Sequence, residues 1–250
     1  MADKEFDLKK FVPLEEARKT FAKVFDKSTI KALHKLSTKH YFKVVEHVIS
    51  TGKEAHVFHA VDGAGNSRAV KVYKTDTSDF KRMNAYIDGD PRFEKVKKNK
   101  RDLVFAWTRK EFKNLLRMQK AGIPCPMPVA FHENVMVMEF VGEKGKAAPP
   151  LKEKPAKDVK NAYAQAIEML ARLLFKAELV YGDFSEYNIL NQGEKLVLID
   201  AGQAVLTSHP NAEEFFERDL ENVARYFSKQ GLEKGREQVK EDVRALKGKI

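Results

Sequence analysis

Two acidic residues and one amide in the second half of the chain have the types and spacing of a site that binds a cation and accepts a proton. Asp183 and Asn188 lie five positions apart in YGDFSEYNIL, and Asp200 ends the apolar stretch KLVLID. Hard cations such as Mg²⁺ prefer oxygen ligands, commonly one or two carboxylates together with substrate phosphates. Another carboxylate can accept the proton of an attacking hydroxyl, so the set suits phosphoryl transfer. Taken singly, each residue is more often a turn cap or a strand end.

The first half of the chain supplies a lysine and a glutamate that fit the same chemistry. Lys71 lies in AVKVY, the third of three predicted strands, and Glu111 lies in RKEFKNL on the helix predicted next. In protein kinases a strand lysine and a helix glutamate form an ion pair that the active enzyme requires. By themselves such residues are usually solvated. Together with the downstream D-x-x-x-x-N spacing and the acid followed by Ala-Gly, they resemble the protein-kinase pattern.

The elements that must position these residues divide the chain into a strand-rich part and a helix-rich part. β-Branched and aromatic residues bounded by Gly, Asp and Asn predict an antiparallel meander, then a helix and two further short strands. These elements are expected at 42–49, 56–61, 67–73, 107–122 and within 129–142. Helices over 158–179 and 211–231 follow, with a strand over 195–200 between them. The order indicates an α+β, two-lobed protein-kinase-like fold, with an antiparallel sheet in the N-terminal lobe and mainly helices in the C-terminal lobe.

Changes in composition suggest the domain boundaries. A Gly/Pro/Lys-rich segment after position 142 is the best candidate for a lobe boundary. The domains expected are an N-terminal helical extension over 1–41, an N-lobe over 42–141 and a C-lobe over 142–250. In the extension, one helix is predicted around 14–25, and another starts at the N-cap residues Ser28 and Thr29. The polar, basic segment at about 74–104 has no clear period and predicts a mobile insertion.

Composition narrows the class of protein and its partners. The chain has 250 residues, a formal net charge of +10 and one cysteine, Cys125. A single cysteine excludes an internal disulfide, and no apolar run approaches the roughly 18 residues of a membrane span. We therefore expect a cytoplasmic protein without a membrane partner. The excess of positive charge favours polyanions such as RNA or nucleotides, or else reflects a generally lysine-rich surface.

Six segments together resemble one family of atypical protein kinases. They are STGKEA, AVKVY, KEFKNL, MEFVG, GDFSEYNIL and IDAGQAV. The set resembles the RIO atypical serine/threonine kinases over about residues 28–230, and IKALHKLSTKHYF is similar to the start of the first RIO subfamily. The compact length is similar to archaeal members. STGKEA is neither the G-x-G-x-x-G of ordinary kinases nor a Walker A loop, because Glu54 follows Lys53.

The resemblance implies a role for each matching residue. Asp183 would be the catalytic base, and Asn188 and Asp200 would be metal ligands; RIO proteins are also thought to form an aspartyl-phosphate at the position of Asp200. Lys71 would contact the α- and β-phosphates while Glu111 holds it. Contacts to ATP are implied for residues of the phosphate loop, the hinge and the catalytic loop: Ser50, Thr51, Lys53, Met138, Glu139, Val141, Ser185 and Glu186. Asp219 resembles the acid that tethers the catalytic loop.

The same resemblance implies ATP and Mg²⁺, or Mn²⁺, as cofactors, and kinase and ATPase activity in maturation of the small ribosomal subunit. The partners expected are ATP and the subunit precursor with its RNA. Only ten residues separate Asp200 from Asn211, which leaves no room for an ordinary activation loop. Two alternatives remain open: a small-molecule phosphotransferase with a kinase-like fold, and a non-catalytic module that binds RNA or the ribosome.

Overall fold

A computed structural model describes residues 25–75, 80–97 and 99–250, and those residues form two compact units. The first unit takes its residues from Met1–Phe80, Val96–Phe112 and Pro128–Ala147. The second takes its residues from Lys81–Lys95, Lys113–Met127 and Ala148–Ile250. The helix predicted around 14–25 lies almost entirely outside the described residues.

The first unit is built on a five-stranded antiparallel sheet with the strand order β1-β2-β3-β5-β4. Its strands are β1 (Val44–Thr51), β2 (Ala55–Val61), β3 (Ser67–Tyr73), β4 (Pro128–His132) and β5 (Val135–Glu139). The predicted meander is confirmed, because β-branched and aromatic residues between turn residues are a local feature that the sequence carries directly. Two register shifts interrupt the β1–β2 pairing, one between Val45 and His47 and one between Val48 and Ser50. A short hairpin of β6 (Gly142–Glu143) and β7 (Lys146–Ala147) follows, within the stretch expected to be a linker.

Helix α1 (Lys27–Thr38) packs on this sheet through an apolar face. Ala32, Leu33 and Leu36 are buried with strand residues such as Phe58 in one hydrophobic cluster. The predicted N-cap is wrong by two or three positions. Asp26 is the cap, and its carboxylate accepts the amide hydrogen of Thr29 at 2.7 Å. The charged side chain of Asp26 is favoured at this end, because it meets both a free backbone donor and the positive end of the helix dipole.

The segment expected to lack regular structure contains one α-helix, a short 3-10 helix (Pro91–Phe93) and the beginning of another α-helix. Helix α2 (Phe80–Ile87) buries Met83, Tyr86 and Ile87, which lie three and four positions apart. Helix α3 (Lys100–Lys120) starts seven residues before the predicted start, and Asn99 accepts the amide hydrogen of Asp102. The prediction of an irregular segment is wrong here, because the eight-residue apolar pattern of α2 is too short to stand out among charged neighbours. Residues 76–79 and 98 lie outside the described residues.

The second unit is mainly helical, with small antiparallel strand pairs between its helices. Its later helices are α4 (Val159–Phe175), α5 (Ala212–Lys229) and α6 (Arg236–Arg244). The strands β8 (Leu179–Val180) and β11 (Val205–Leu206) form one pair, and β9 (Ile189–Gln192) and β10 (Lys195–Leu198) form another. The architecture confirms the α+β prediction. Among the residues the structure describes, no helix is long and apolar enough to cross a membrane.

Candidate active site

The loop between β8 and β9 contains Asp183 and Asn188. The side-chain amide of Asn188 donates to both the carbonyl oxygen and the carboxylate Oδ2 of Asp183, each at 2.9 Å. The backbone amide of Asn188 bonds the carbonyl of Ser185 at 3.0 Å, which closes the turn. With both amide hydrogens used, the carbonyl oxygen Oδ1 of Asn188 is the atom that can bind a cation.

The carboxyl group of Asp183 lies in a partly buried position that favours its neutral form. Burial raises its pKa above the ordinary value, and the nearby Asp200 carboxylate acts in the same direction. The hydrogen bond from Asn188 and the positive charge of Arg218 lower the pKa and oppose this shift. A base with a raised pKa binds a proton more readily than an exposed aspartate does, which suits proton transfer near neutral pH.

A fully buried aspartate on helix α5 fixes the start of this loop. Asp219 Oδ2 accepts the amide hydrogen of Gly182 at 2.7 Å, and Oδ1 accepts that of Phe184 at 2.8 Å. Burial raises the pKa of Asp219 to about 7, against the opposing effect of the two amide hydrogens and Arg218. The contact matches the tether implied by the resemblance, and it holds the backbone on both sides of Asp183.

Replacing Asp219 with asparagine tests this tether. One of the two oxygens becomes an NH₂ group facing a backbone N–H, so we expect a loss of about 1–3 kcal/mol in the free energy of unfolding. Urea unfolding of Asp219→Asn beside Glu221→Gln, an exposed acid of the same helix, measures the difference. An Asp219→Asn protein as stable as Glu221→Gln would contradict the tether.

Arg218 and Tyr86 add a contact that sequence reasoning missed. The guanidinium of Arg218 donates to the carbonyl of Gly182 and to the Tyr86 hydroxyl, the latter at 2.8 Å. Gly182 has a φ of +78°, and a Cβ there would lie 3.2 Å from the Tyr86 ring. The residue before the base must therefore be glycine, both for its backbone conformation and for space. Tyr86 escaped notice because it lies on α2, the helix that the sequence did not predict.

Asp200 follows β10 and is exposed, with a φ of +62° in the left-handed region. The hydroxyl of Tyr181 donates to the carbonyl oxygens of Ile199 and Asp200, the latter at 2.9 Å. Asp200 therefore presents its carboxylate from a turn whose backbone is held by a residue of the catalytic loop. The structure thus links the neighbourhood of Asp183 to that of Asp200 within the second unit.

A second clamp on the Asp200 turn comes from helix α3. The side-chain amide of Asn114 donates to the carbonyl oxygens of Ala201 and Ala204, both at 2.8 Å. Its own oxygen accepts a hydrogen bond from Arg92 at 2.7 Å, and Arg92 forms an ion pair with the buried Asp90 at 2.6 Å. No sequence motif signalled this set, because Asn114 lies 87 and 90 positions from the carbonyls it binds.

The Asn114→Asp variant tests these contacts, because a carboxylate cannot donate the hydrogen bonds that the amide donates. Asn114→Asp keeps the shape but has no N–H to donate, so the carbonyls of Ala201 and Ala204 lose this donor and keep only longer contacts, from the Ala204 amide at 3.3 Å and from Arg92 at 3.5 Å. We expect destabilisation of about 1–3 kcal/mol in total, because two buried hydrogen bonds are lost. Thermal unfolding of Asn114→Asp beside Asn161→Ala, an exposed helical asparagine, measures it. Wild-type stability in Asn114→Asp would rule out the clamp.

Ser185 and Glu186 lie between the two residues of the D-x-x-x-x-N spacing and are partly buried. The backbone carbonyl of Glu186 accepts a hydrogen bond from Lys152 at 3.0 Å. Its carboxylate oxygen Oε2 is buried without a hydrogen-bond partner among the described residues. A buried acceptor without a donor is costly unless something binds it, so Glu186 is suited to a cation or a ligand donor.

The predicted lysine–glutamate pair lies in the first unit. Lys71 Nζ, on β3, lies 2.9 Å from Glu111 Oε1, on α3, and both side chains are almost fully buried. Tyr73, two positions after Lys71, donates its hydroxyl to the other oxygen of Glu111. A buried ion pair of this kind needs its hydrogen bonds to offset desolvation, and Tyr73 supplies one that the sequence analysis did not identify.

The residues predicted to bind phosphate lie at the β1–β2 turn and are exposed. They are Ser50, Thr51 and Lys53. The amide of Gly52 bonds the carbonyl of Ala55 at 2.9 Å, and Lys74 donates to the carbonyl of Gly52 at 2.8 Å. Lys74 therefore ties this turn to the end of β3, a contact that the sequence analysis did not predict.

The residues predicted to bind adenine lie at the end of β5 and just after it. Met138 is buried and pairs with Ala69, whereas Glu139 is exposed and pairs with Arg68. Val141 is partly buried and follows the sheet.

The second unit offers oxygen donors that fit Mg²⁺ or Mn²⁺. The donors are the free amide oxygen of Asn188, the exposed carboxylate of Asp200 and the unpartnered oxygen of Glu186. Magnesium is usually bound by one or two carboxylates plus substrate phosphates, which this set would allow.

Comparison with known proteins identifies the family. Residues 56–241 match the family model described as the RIO domain. The RIO-type serine/threonine-protein kinase Rio1 of Haloferax volcanii is 46% identical over 210 residues, which cover 84% of this chain and 72% of that protein. The serine/threonine-protein kinase rio1 of Dictyostelium discoideum is 41% identical over 219 residues, or 86% of this chain. The chain spans only 38% of that relative's length.

Solved structures agree on the fold. The Rio2 kinase–ADP/Mg²⁺–phosphoaspartate complex from Chaetomium thermophilum superposes with a TM-score of 0.66 at 23% identity, covering 86% of this chain and 65% of that one. The two-lobed protein-kinase-like fold class is thereby confirmed. With a family model over most of the chain and high identity to an archaeal relative, this chain belongs to the RIO family of serine/threonine-protein kinases.

Proposed function

We propose that this protein transfers the γ-phosphoryl group of ATP to serine or threonine hydroxyls and also hydrolyses ATP, in the cytoplasm. The observation that carries the proposal is the arrangement around Asp183. A partly buried carboxylate with a raised pKa is fixed by Asn188, while Asp219 holds the backbone on either side. Hydrogen bonds from Tyr181 and Asn114 hold the turn that contains Asp200, which also belongs to the second unit.

In this mechanism Asp183 orients the attacking hydroxyl and accepts its proton as the hydroxyl oxygen bonds the γ-phosphorus and the bond from that phosphorus to ADP breaks. Proton transfer to a positioned base typically contributes about 10²–10⁴-fold to the rate. Lys71, held by Glu111, would neutralise charge on the α- and β-phosphates. Ser50, Thr51 and Lys53 would bind phosphate oxygens, and the backbone of Glu139 and Val141 would bind the adenine edge beside Met138.

Asn188, Asp200 and Glu186 would hold Mg²⁺ or Mn²⁺, which neutralises phosphate charge when bound. Ser185 would touch phosphate beside them. The fit rests on the donor types and on the buried, unpartnered oxygen of Glu186.

Asp200 is also proposed as a phosphate acceptor in the ATPase reaction. Its carboxylate oxygen would bond the γ-phosphorus as the bond to ADP breaks, and water would later release phosphate from the acyl phosphate. The comparison protein from Chaetomium thermophilum is described as a phosphoaspartate complex, which supports this step. The exposed position of Asp200 leaves its oxygens accessible for attack.

The physiological partner we propose is the small-ribosomal-subunit precursor with its RNA. The formal net charge of +10 supports a polyanionic partner, because such a surface attracts phosphate backbones from a distance. Binding of this kind weakens steeply as salt concentration rises.

Incubation with γ-labelled ATP and Mg²⁺, alone and with small-subunit precursors, tests the proposal. We expect phosphate release, and label on the protein that hydroxylamine removes, since acyl phosphates are cleaved by hydroxylamine and phosphoserine is not. Asp200→Asn should lose the hydroxylamine-sensitive label. Absence of hydrolysis and transfer under every condition would defeat the enzyme assignment, and label that resists hydroxylamine would defeat the role of Asp200 as acceptor.

A further inference from the structure

Two histidines and a glutamate that have no role assigned above form a cluster in the first unit. Glu46 and His47 lie on β1 and His59 lies opposite them on β2. One possible ligand atom from each residue lies within 4.8 Å of those from the other two. We call this set the His–Glu cluster. Two imidazoles and one carboxylate are a ligand set typical of zinc and related transition metals.

A β-bulge brings adjacent residues of one strand to the same partner. In a regular strand, Glu46 and His47 would point to opposite faces of the sheet. Here Val45 pairs with Ala60 and His47 pairs with His59, so Glu46 is the extra residue of the bulge. Bulges of this type redirect a side chain and are common near functional sites. The irregularity explains how both side chains reach His59.

Hydrogen bonds hold His47 through one ring nitrogen and His59 through both. His47 Nε2 lies 3.0 Å from the carbonyl oxygen of Gly145. A carbonyl can only accept, so Nε2 carries the hydrogen and Nδ1 of the neutral ring has a lone pair. His59 Nδ1 lies 2.9 Å from Glu46 Oε2, and its Nε2 lies 3.1 Å from the hydroxyl of Ser67. Metal-binding histidines usually have their second nitrogen held in this way.

Packing fixes the inner ring and leaves the outer residues accessible. His59 is 2% exposed and meets the ring of Phe140 edge-on at 4.6 Å between centroids. His47 stacks on His59 at 4.9 Å with an interplanar angle of 18°. The side chain of Glu46 is 42% exposed, so an ion can enter from solvent. Because nitrogen lone pairs lie in the ring plane, those of two nearly parallel rings do not converge, so the exposed His47 ring must turn out of the stack to close around a metal, while His59 stays fixed as the inner ligand.

We propose that the His–Glu cluster binds one divalent transition metal of the Zn²⁺ class. The ligands are Nδ1 of His47, Nδ1 of His59 and a carboxylate oxygen of Glu46, with water in the remaining position. The metal takes the place of the hydrogen that His59 Nδ1 donates to Glu46. That hydrogen passes to Nε2 of the same ring, where the Ser67 hydroxyl accepts it, so the neutral ring is conserved. Nitrogen ligands favour this class over Mg²⁺.

Titration of the full-length protein with Zn²⁺ in excess Mg²⁺ tests the site, because Mg²⁺ occupies oxygen-donor sites elsewhere. We expect one equivalent of Zn²⁺ to bind, and Co²⁺ in its place to give the intense visible absorption of a low-coordinate nitrogen site. His47→Gln and Glu46→Gln should each weaken binding at least tenfold. His34→Gln, an exposed histidine of helix α1, is the matched control and should bind as the unmodified protein does.

His47 and Glu46 are accessible at their strand, so their variants are expected to fold, and a thermal melt of each variant verifies this. The proposal fails if no Zn²⁺ binds in excess Mg²⁺, or if His47→Gln binds it as tightly as His34→Gln. Either result would identify the cluster as a hydrogen-bonded surface feature only. Kinase activity is not needed for the readout, so failure here and failure of the proposed enzyme are distinguished.

Discussion

Asp183→Asn is expected to lower the rate of phosphate transfer by about 10²–10⁴-fold while the protein stays folded. Asparagine has the same shape and keeps an oxygen for the hydrogen bond from Asn188, but it cannot accept a proton. Burial raises the pKa of Asp183, so the ionised carboxylate is less stable in this position than it would be in water. A neutral replacement should therefore unfold at the same denaturant concentration as the original protein or at a slightly higher one.

The measurement is the rate at saturating ATP together with urea unfolding of the same preparations. Asp88→Asn, an exposed acid after helix α2, is the matched control and should keep the full rate. An Asp183→Asn protein with undiminished transfer would remove Asp183 from the chemistry. Loss of both rate and stability would instead point to a structural role.

Lys71→Met is expected to lower both the folding stability and the rate of phosphate transfer, and the two effects can be measured separately. The buried Glu111 carboxylate loses its cation, and breaking one side of a buried ion pair costs about 3–5 kcal/mol of folding stability. Transfer should also fall by about 10²–10³-fold, because a positioned charge on the phosphates is removed. In the double variant Lys71→Met/Glu111→Gln no charge remains buried there, and the glutamine oxygen still accepts the Tyr73 hydroxyl.

The double variant should therefore recover most of the stability and none of the rate. The test compares the thermal unfolding and transfer rates of both variants with those of Lys43→Met. Lys43 is exposed and lies just before β1. Recovery of activity in the double variant would mean that the lysine acts only by compensating Glu111. Unchanged stability in Lys71→Met would mean that the pair contributes little to folding.

What the sequence predicts well are the features that it encodes locally. The strands of the first unit follow from short segments of β-branched and aromatic residues between turn residues, and the D-x-x-x-x-N spacing is itself a local pattern. Lys71 and Glu111 are 40 positions apart, yet they can be paired in advance because family resemblance supplies the long-range information.

The supporting contacts could not be predicted in this way. Asn114 reaches carbonyls far along the chain, and neither an asparagine within a helix nor an alanine carbonyl carries a distinguishing sequence signal. Tyr86 lies on a helix of only eight residues, too short for its apolar period to stand out among charged neighbours. The bulge at Glu46 depends on a mismatch between two strands, and each strand alone looks regular. Tertiary pairing, rather than local preference, determines all three.

At position 200, the residue that is best for stability differs from the residue that the proposed activity requires. A side chain at a φ of +62° costs about 1 kcal/mol relative to glycine, whose backbone adopts that angle freely. A library of this chain selected only for heat resistance should therefore accumulate Asp200→Gly, a change that discards the carboxylate. The most heat-stable variants would then lack the proposed ATPase activity. Engineering a more stable form of this protein therefore requires selection for thermal stability and for activity at the same time.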